Sequence, residues 1–199
     1  LYHSLGEIPS AIQGKQCIIE QGPDNFMLYE IPVSKADENI STDSVWISIE
    51  NGLLKGHGKA IFTGEPKSEI MASFEAIDSA GYINILNKLI PKASNKCKYT
   101  TAQVSSLDNL DQPFIISYGF ELPDYVTTNS GSSYVNMNIQ RFMNDSQLKA
   151  DRWIPVELET PFINRFVSVL QIPENTTIGT LPETSIFNQP GLSFRQQYD

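Results

Sequence analysis

Two glycines, a histidine and a lysine follow one another in Gly56-His57-Gly58-Lys59, a combination that could bind a phosphate group or supply a catalytic base. A P-loop needs a glycine five places before its Gly-Lys pair and a Ser or Thr directly after it. Here Leu53 stands at the first of these positions and Ala60 at the second. The segment also lacks the third glycine of a dinucleotide-binding loop. Its spacing therefore excludes both kinds of phosphate loop.

Catalysis by a cysteine would require a thiol, an imidazole and a third group that orients the imidazole. The chain has two histidines, His3 and His57, and two cysteines, Cys17 and Cys97, and no cysteine lies beside a histidine in the sequence. The cysteines are too far apart for a CxxC metal or redox pair. They are expected to be two unpaired buried thiols or a disulfide across the fold. We predict no catalytic residue, no cofactor-binding residue and no metal ligand.

Structural roles are favoured for the other candidate groups. Asp108-Asn109-Leu110-Asp111 offers clustered oxygen donors, but it lacks the alternating spacing and the glycine of a calcium loop, so we interpret it as a turn. Tyr118, Tyr125, Tyr134 and Trp153 could form a platform for sugars, although aromatic residues of β domains more often lie in the core or on a sheet face. Among the 23 acidic residues, no pair is singled out as the two carboxylates of a glycosidase.

The overall charge limits the partners. The 14 Lys and Arg residues and 23 Asp and Glu residues give a net charge of −9, and no basic run could face the phosphates of a nucleic acid. No apolar stretch approaches the roughly 20 residues that a membrane-spanning helix needs. We therefore expect no nucleic-acid partner and no membrane span.

The best-defined local structure is a β-hairpin around Asn51-Gly52. This dipeptide favours a two-residue type I′ turn, because both residues tolerate positive φ. The turn places Ile49 opposite Leu54 and fixes the register of both strands. One face then carries apolar residues and the other carries polar residues, and a register shift of one residue would destroy this separation.

The predicted register separates the hairpin into a polar face and a core face. His57 lies opposite Trp46 on the polar face, where a solvated strand residue is favoured over a catalytic base. Gly56 and Gly58 lie on the core face, which indicates that something packs closely over them. We expect this to be the helix predicted for residues 80–90.

Further short apolar runs are bounded by Gly, Pro, Asn or Asp, and their spacing favours antiparallel sheets over βαβ units. Steps of three and four residues predict one or two helices within Ser68–Ile90, of which Ala80–Ile90 is the clearer. Thr127–Ser133 and Asn144–Asp151 are predicted to be loops. The expected fold is mostly β (α+β), an antiparallel sheet or sandwich with about one packed helix. The other predicted strands lie in QCIIE, NFMLYEI, KYTTAQVSSL, PFIISYGFEL, SYVNMNI, NRFVSVLQI, TTIGTL and LSFRQQY.

A series of short motifs extends over nearly the whole chain. The series begins with LGEIPSAIQGKQCIIE and continues with Ile31-Pro32, Glu38-Asn39 and WISIENGLLKGHGKAIFTG. The last of these is similar to a strand–"dG"–strand segment that ends in glycine. SLDNLDQPFIISYGFELPDY is similar to an "nL-D-x-P" segment. Arg152–Val156, Pro161 and LQIPENTTIGTLPE are similar to an "R-x-x-PV … P … lP-x-x-x-x-v-x-x-LP" ending. In their order and spacing, these motifs resemble the C-terminal region of bacterial transglutaminase-like proteins.

The resemblance implies a domain organisation. Residues 1–35 would be the tail of an upstream papain-like transglutaminase core, and residues 36–199 a β-rich accessory domain that could divide near residues 100–110. The Cys–His–Asp triad of the family belongs to that core, so the resemblance implies no catalytic residue here. Cys17 falls in what resembles the last strand of the core. We interpret Arg152–Val156 as structural, with Arg152 pairing with a carboxylate that closes a loop.

The function implied by the resemblance is that of a non-catalytic accessory module. The parent would be an exported, periplasmic or cell-surface transglutaminase-like protein related to proteases or peptidases. The module would shape or cover the upstream active site, or bind a protein or glycan partner. The alternative is an extracellular carbohydrate- or surface-binding β module, which would gather its aromatic residues on one exposed face.

Overall fold

The computed structural model describes residues 2–75, 77–90, 92, 94–140, 151, 153–154 and 158–199. The described residues form a mostly β fold, as the sequence predicts, and they include two α-helices. The strands are β1 (Gln16–Gly22), β2 (Asn25–Glu30), β3 (Ile40–Glu50), β4 (Leu53–Phe62), β5 (Lys98–Val104), β6 (Phe114–Leu122), β7 (Val126–Asn129), β8 (Ser132–Val135), β9 (Ile163–Leu170), β10 (Ser185–Gln189) and β11 (Leu192–Gln196). The helices are α1 (Gly64–Ala72), α2 (Tyr82–Leu89) and a short 3-10 helix at Ser10–Ile12.

A five-stranded sheet in the order β5-β6-β4-β3-β9 forms the centre of the structure. Its first four strands are antiparallel, as expected, whereas β9 pairs in parallel with β3. The predicted antiparallel arrangement therefore holds for most of the sheet, and the parallel pair at the β9 edge is an addition that the sequence did not predict. The spacing of strands along the sequence predicts pairing between strands that follow one another. β3 and β9 are separated by more than a hundred residues, and a parallel pair needs a long crossover connection.

The hairpin of β3 and β4 has the predicted register, with Ile49 opposite Leu54. Asn51 and Gly52 both have positive φ, at 51° and 78°, as a type I′ turn requires. Val45 and Leu54 are fully buried on the core face. The local turn chemistry and the alternation of the strands therefore agree on one register.

The space above Gly56 and Gly58 is filled by rings of β6, and not by the helix that we expected. Gly56 pairs with Phe120, and Gly58 pairs with Tyr118. A Cβ atom at Gly58 would lie 2.2 Å from Cζ of Tyr118, and one at Gly56 would lie 2.7 Å from Cζ of Phe120. The glycines let two aromatic side chains of the next strand lie across β4, a contact that hairpin spacing does not encode.

Two helices cover the core face of the sheet, where about one was expected. The region predicted as the clearer helix, residues 80–90, contains α2, which packs near β5. The N-terminal part of Ser68–Ile90 belongs to α1, which begins before this range. The backbone N–H of Glu65 in the first turn of α1 donates a hydrogen bond to Oδ1 of the buried Asn39, at 2.9 Å.

Three other segments differ from the sequence predictions. Thr127–Ser133, predicted to be a loop, contains most of the β7–β8 hairpin, because Ser130 and Gly131 adopt positive φ and form its turn. The predicted strand in residues 176–181 is absent, whereas β10, which no pattern indicated, pairs with β11. The predicted loop at 144–150 and the motif residues Arg152, Pro155 and Val156 lie outside the described residues.

Three strand pairs, β1–β2, β7–β8 and β10–β11, form separate two-stranded sheets. The β1–β2 hairpin is exposed along most of its length, and so is β10–β11. Both hairpins carry large apolar side chains into solvent. An isolated pair of strands gains little stability from burial of its own side chains. Exposed apolar surface of this kind often marks a site of interaction.

Candidate functional site

A cleft of about 320 Å³ opens on the core face of the sheet, between its β9 edge and the helices. We call it the inner cleft. Its floor is formed by β3, β4 and β9, and its walls by the first part of α1 and the end of α2. Its size is at the lower end of the range of about 300–1,000 Å³ found for ligand pockets. It is lined by Ser41, Thr42, Asp43, Ala60, Phe62, Pro66, Glu69, Ile70, Leu89, Ile90, Gln140, Phe162, Asn164 and Phe166.

A buried polar network lies behind the inner cleft. Nζ of Lys92 lies 2.8 Å from Oδ2 of Asp43 and donates a hydrogen bond of 2.8 Å to the hydroxyl group of Tyr118. The Tyr118 hydroxyl in turn donates to the other oxygen of Asp43. Nζ of Lys92 also lies 4.8 Å from the centre of the Tyr118 ring, where a cation–π attraction operates. The three groups therefore form a closed set of mutual contacts.

Burial controls the ionisation of this network. It lowers the pKa of Lys92, although the negative charge of Asp43 opposes that shift. It raises the pKa of Tyr118, and Asp43 raises it further. Burial also raises the pKa of the nearby Cys97 thiol to about 11, which keeps the thiol protonated and a poor nucleophile at neutral pH. The side chain of Lys92 has 0% exposure, so we assign a structural role to this network.

Gln140 places a buried amide group beside the cleft. The residue is only 7% exposed, and it lines the inner cleft. Its Oε1 accepts a long hydrogen bond of 3.4 Å from Ser168. Its Nε2 has no hydrogen-bond partner among the residues that the structure describes. An unpartnered buried donor costs free energy, so Gln140 needs an explanation other than stability.

A second depression of about 220 Å³ adjoins the inner cleft and shares Pro66, Glu69 and Phe162 with it. We call it the acidic mouth, because Glu65, Glu69 and Glu159 line it. Partial burial raises the pKa of Glu69, and the charges of Glu65 and Glu159 raise it further. Glu65 accepts hydrogen bonds from the backbone N–H and the hydroxyl group of Ser10, at 3.1 and 3.0 Å.

The nearest lysine in the sequence does not neutralise the acidic mouth. Lys67 lies on α1 between Glu65 and Glu69, but its Nζ pairs with Glu7 at 3.0 Å. It also donates to the backbone oxygen of Leu110, at 2.7 Å. This cation therefore forms no ion pair with the carboxylates that line the acidic mouth.

The residues that the sequence offered for catalysis are dispersed. His57 is exposed on the polar face and stacks on Trp46, with ring centres 5.4 Å apart. Nδ1 of His3 lies 3.1 Å from the Ser68 hydroxyl, near the start of the described chain. Cys17 lies on β1 opposite Tyr29.

The remaining candidates also lie apart. Cys17 and Cys97 are both free and half-buried, so neither the disulfide nor full burial is observed. Asp108–Asp111 lies in the connection between β5 and β6, as the turn interpretation predicts. Of the four aromatic residues that could form a sugar platform, Tyr118 is buried in the core, whereas Tyr134 and Trp153 are exposed. Tyr118 therefore cannot belong to an exposed platform.

The sequence analysis missed Asp43, Lys92 and Gln140. One signal was present for Asp43: the correctly predicted hairpin register places it opposite Ala60, on the core face. A carboxylate at such a position requires a buried partner. Lys92 and Gln140 carried no comparable signal, because they lie in irregular segments whose backbones pair through one isolated bridge.

No group of three or more His, Cys, Asp or Glu residues that could hold a metal ion occurs within the described ranges. Neither α1 nor α2 has the length and apolar character of a transmembrane helix, and the described part of the chain contains no other α-helix. The chain matches no protein-family model, no curated protein and no solved structure.

Proposed function

We propose that this chain is a non-catalytic accessory module that packs against a transglutaminase-like domain of the same exported protein. The β1–β2 hairpin would form the contact, and the module would shape or cover the active site of that domain. The observation that carries the proposal is the exposure of apolar residues on both faces of this hairpin.

The two faces of the hairpin both require a covering layer. Ile18 pairs with Leu28 on one face, and these side chains are 70% and 69% exposed. Ile19 pairs with Met27 on the other face, and both are 39% exposed. A two-stranded sheet is marginally stable unless it packs against further structure. Apolar side chains on both faces fit a hairpin that lies inside a larger domain.

The family resemblance supplies the identity of that larger domain. It assigns residues 1–35 to the tail of a transglutaminase-like core, and this range contains the whole β1–β2 hairpin. The first strand of the five-stranded sheet along the sequence is β3, which lies beyond residue 35. The hairpin would then bury its apolar side chains in the transglutaminase-like domain, whereas the accessory fold buries its own core. The hairpin would therefore connect the two domains.

The complete coding sequence and a pair of double variants test this proposal. We expect Ile18→Ser with Leu28→Ser to leave the thermal unfolding of the 199-residue chain nearly unchanged, because both side chains are exposed. In the full-length protein, we expect the same double variant to lower the melting temperature and to increase hydrogen exchange at the domain contact. Ile186→Ser with Leu192→Ser is the matched control on the other exposed hairpin, with 62% and 61% exposure.

Two results would refute the proposal. One is a full-length coding sequence without a transglutaminase-like domain. The other is thiol-dependent hydrolase or transamidase activity of the 199-residue chain that Cys17→Ala abolishes. The alternative is a carbohydrate-binding module. The burial of Tyr118 removes this residue from an exposed platform, and binding to a glycan array would support the alternative.

A further inference from the structure

The inner cleft and the acidic mouth adjoin, and both combine apolar surface with acidic side chains. Pro66, Glu69 and Phe162 line both parts. Apolar surface makes up most of both parts, and the carboxylates are most concentrated in the acidic mouth, which three glutamates line. A ligand that fills both parts must therefore combine an apolar group with a positive charge.

No Lys or Arg side chain among the described residues forms an ion pair with the carboxylates of the acidic mouth. Glu65 and Glu69 stand four residues apart on α1, a spacing at which like charges repel. Glu159 lines the mouth from another segment. Burial raises the pKa of Glu69, and the charges of Glu65 and Glu159 raise it further. An ammonium or guanidinium group in the mouth would convert this repulsion into attraction.

Gln140 provides an independent sign of a ligand. Its Nε2 is a buried hydrogen-bond donor without a partner among the described residues, and the side chain lines the inner cleft. A donor of this kind is satisfied by a carbonyl oxygen. Carbonyl groups occur at every residue of a peptide, whereas a simple aliphatic amine has none.

We propose that the inner cleft and the acidic mouth together bind a basic peptide segment. A Lys or Arg side chain of the peptide occupies the acidic mouth, an apolar side chain a few residues away occupies the inner cleft, and a peptide carbonyl group accepts a hydrogen bond from Gln140. Charge complementarity selects the occupant, since the chain carries a net charge of −9 and the mouth is lined by carboxylates. This site is separate from the β1–β2 hairpin, so it does not depend on the function proposed above.

The probe is a series of capped peptides, acetyl-Leu-(Gly)n-Lys-amide with zero, one or two glycines, titrated into the ¹⁵N-labelled 199-residue chain at low ionic strength. We expect amide shifts in α1 and β9 for at least one spacer length. Replacement of the lysine by norleucine, which keeps the length and removes the charge, should weaken binding about fivefold or more. A free diamine tests whether the cation alone is sufficient.

Two variants test the two ends separately. Glu69→Gln should weaken the best peptide about fivefold without unfolding the chain, because Glu69 lies at the surface. Gln140→Met keeps the size of the side chain and removes the unpartnered amide. It should weaken the peptide several-fold while the melting temperature stays constant or rises, a combination that a merely structural role would not produce. Glu174→Gln, at an exposed loop residue, is the charge-matched control and should bind normally.

The proposal is wrong if no peptide of the series shifts these amides at millimolar concentration, or if the norleucine peptide binds as tightly as the lysine peptide. Binding of the diamine with the affinity of the peptides would identify an amine site and overturn the assignment to a peptide. Unchanged affinity in Gln140→Met would remove the role given to its amide.

Discussion

The buried ion pair between Lys92 and Asp43 leads to a quantitative prediction for Lys92→Met. At 2.8 Å, the attraction between the two charges is about 6 kcal/mol for an effective dielectric constant near 20. The loss of hydration costs several kcal/mol for each ion, so the intact pair contributes little net stability. Lys92→Met removes the attraction and leaves the carboxylate of Asp43 buried. We expect the free energy of unfolding to fall by about 3–5 kcal/mol.

Urea denaturation followed by circular dichroism measures this loss, and the chain contains a matched control. Lys96 and Asp124 form a pair of nearly the same length, 2.7 Å, but both side chains are exposed. Lys96→Met should therefore leave the unfolding midpoint nearly unchanged. Lys92→Met with Asp43→Leu should cost less than the sum of the two single changes, because no unpaired charge remains. Equal losses for Lys92→Met and Lys96→Met would refute the reasoning.

Three further changes test other contacts. Gly58→Ala would place Cβ 2.2 Å from Cζ of Tyr118 and should lower the free energy of unfolding by about 1–3 kcal/mol or more in urea, whereas Gly179→Ala, with open space around it, should be neutral. Burial raises the pKa of Cys97 from 9.0 to about 11. The stability linked to this thiol is therefore complete below pH 9 and is lost as the pH rises through 11. Cys97→Ala should reduce the fall in the free energy of unfolding at alkaline pH, measured by urea denaturation at a series of pH values. Asn39→Asp keeps the oxygen that accepts from α1 but removes the amide that donates to Ser34 and Pro161, at 2.7 and 3.0 Å, and should lower the melting temperature in calorimetry.

The parts of the fold that could be predicted are those determined by neighbouring residues. Asn51-Gly52 fixes the register of β3 and β4, because the positive φ of both residues is a local property. The Ser130-Gly131 turn also uses positive φ, but the Ser-, Asn- and Gly-rich composition around it led to a loop prediction. Pairing of β3 with β9 depends on contacts between distant parts of the chain, which alternation within a strand does not describe.

The candidate site was less predictable than the hairpin for the same reason. Its floor and walls come from segments between Ser41 and Phe166. Only Asp43 could have been noticed, from its inward position in the correct register. Lys92 and Gln140 acquire their significance from burial, and the burial of a residue in an irregular segment depends on the elements that cover it.

On the sheet face that the helices cover, polar groups near β6 have hydrogen-bond partners, whereas those near β9 do not all have one among the described residues. This difference indicates where a ligand binds. Towards β6, Asp43 is bonded to Lys92 and Tyr118, and the loss of any member costs stability. Towards β9, Gln140 keeps an amide nitrogen without a partner among the described residues, and Glu69 lies among like charges. An unsatisfied buried donor costs about 1–3 kcal/mol, and apolar side chains of the same size would avoid that cost. Gln140 and Glu69 both reduce stability and both line the inner cleft. We therefore infer that they serve ligand binding and not the stability of the fold.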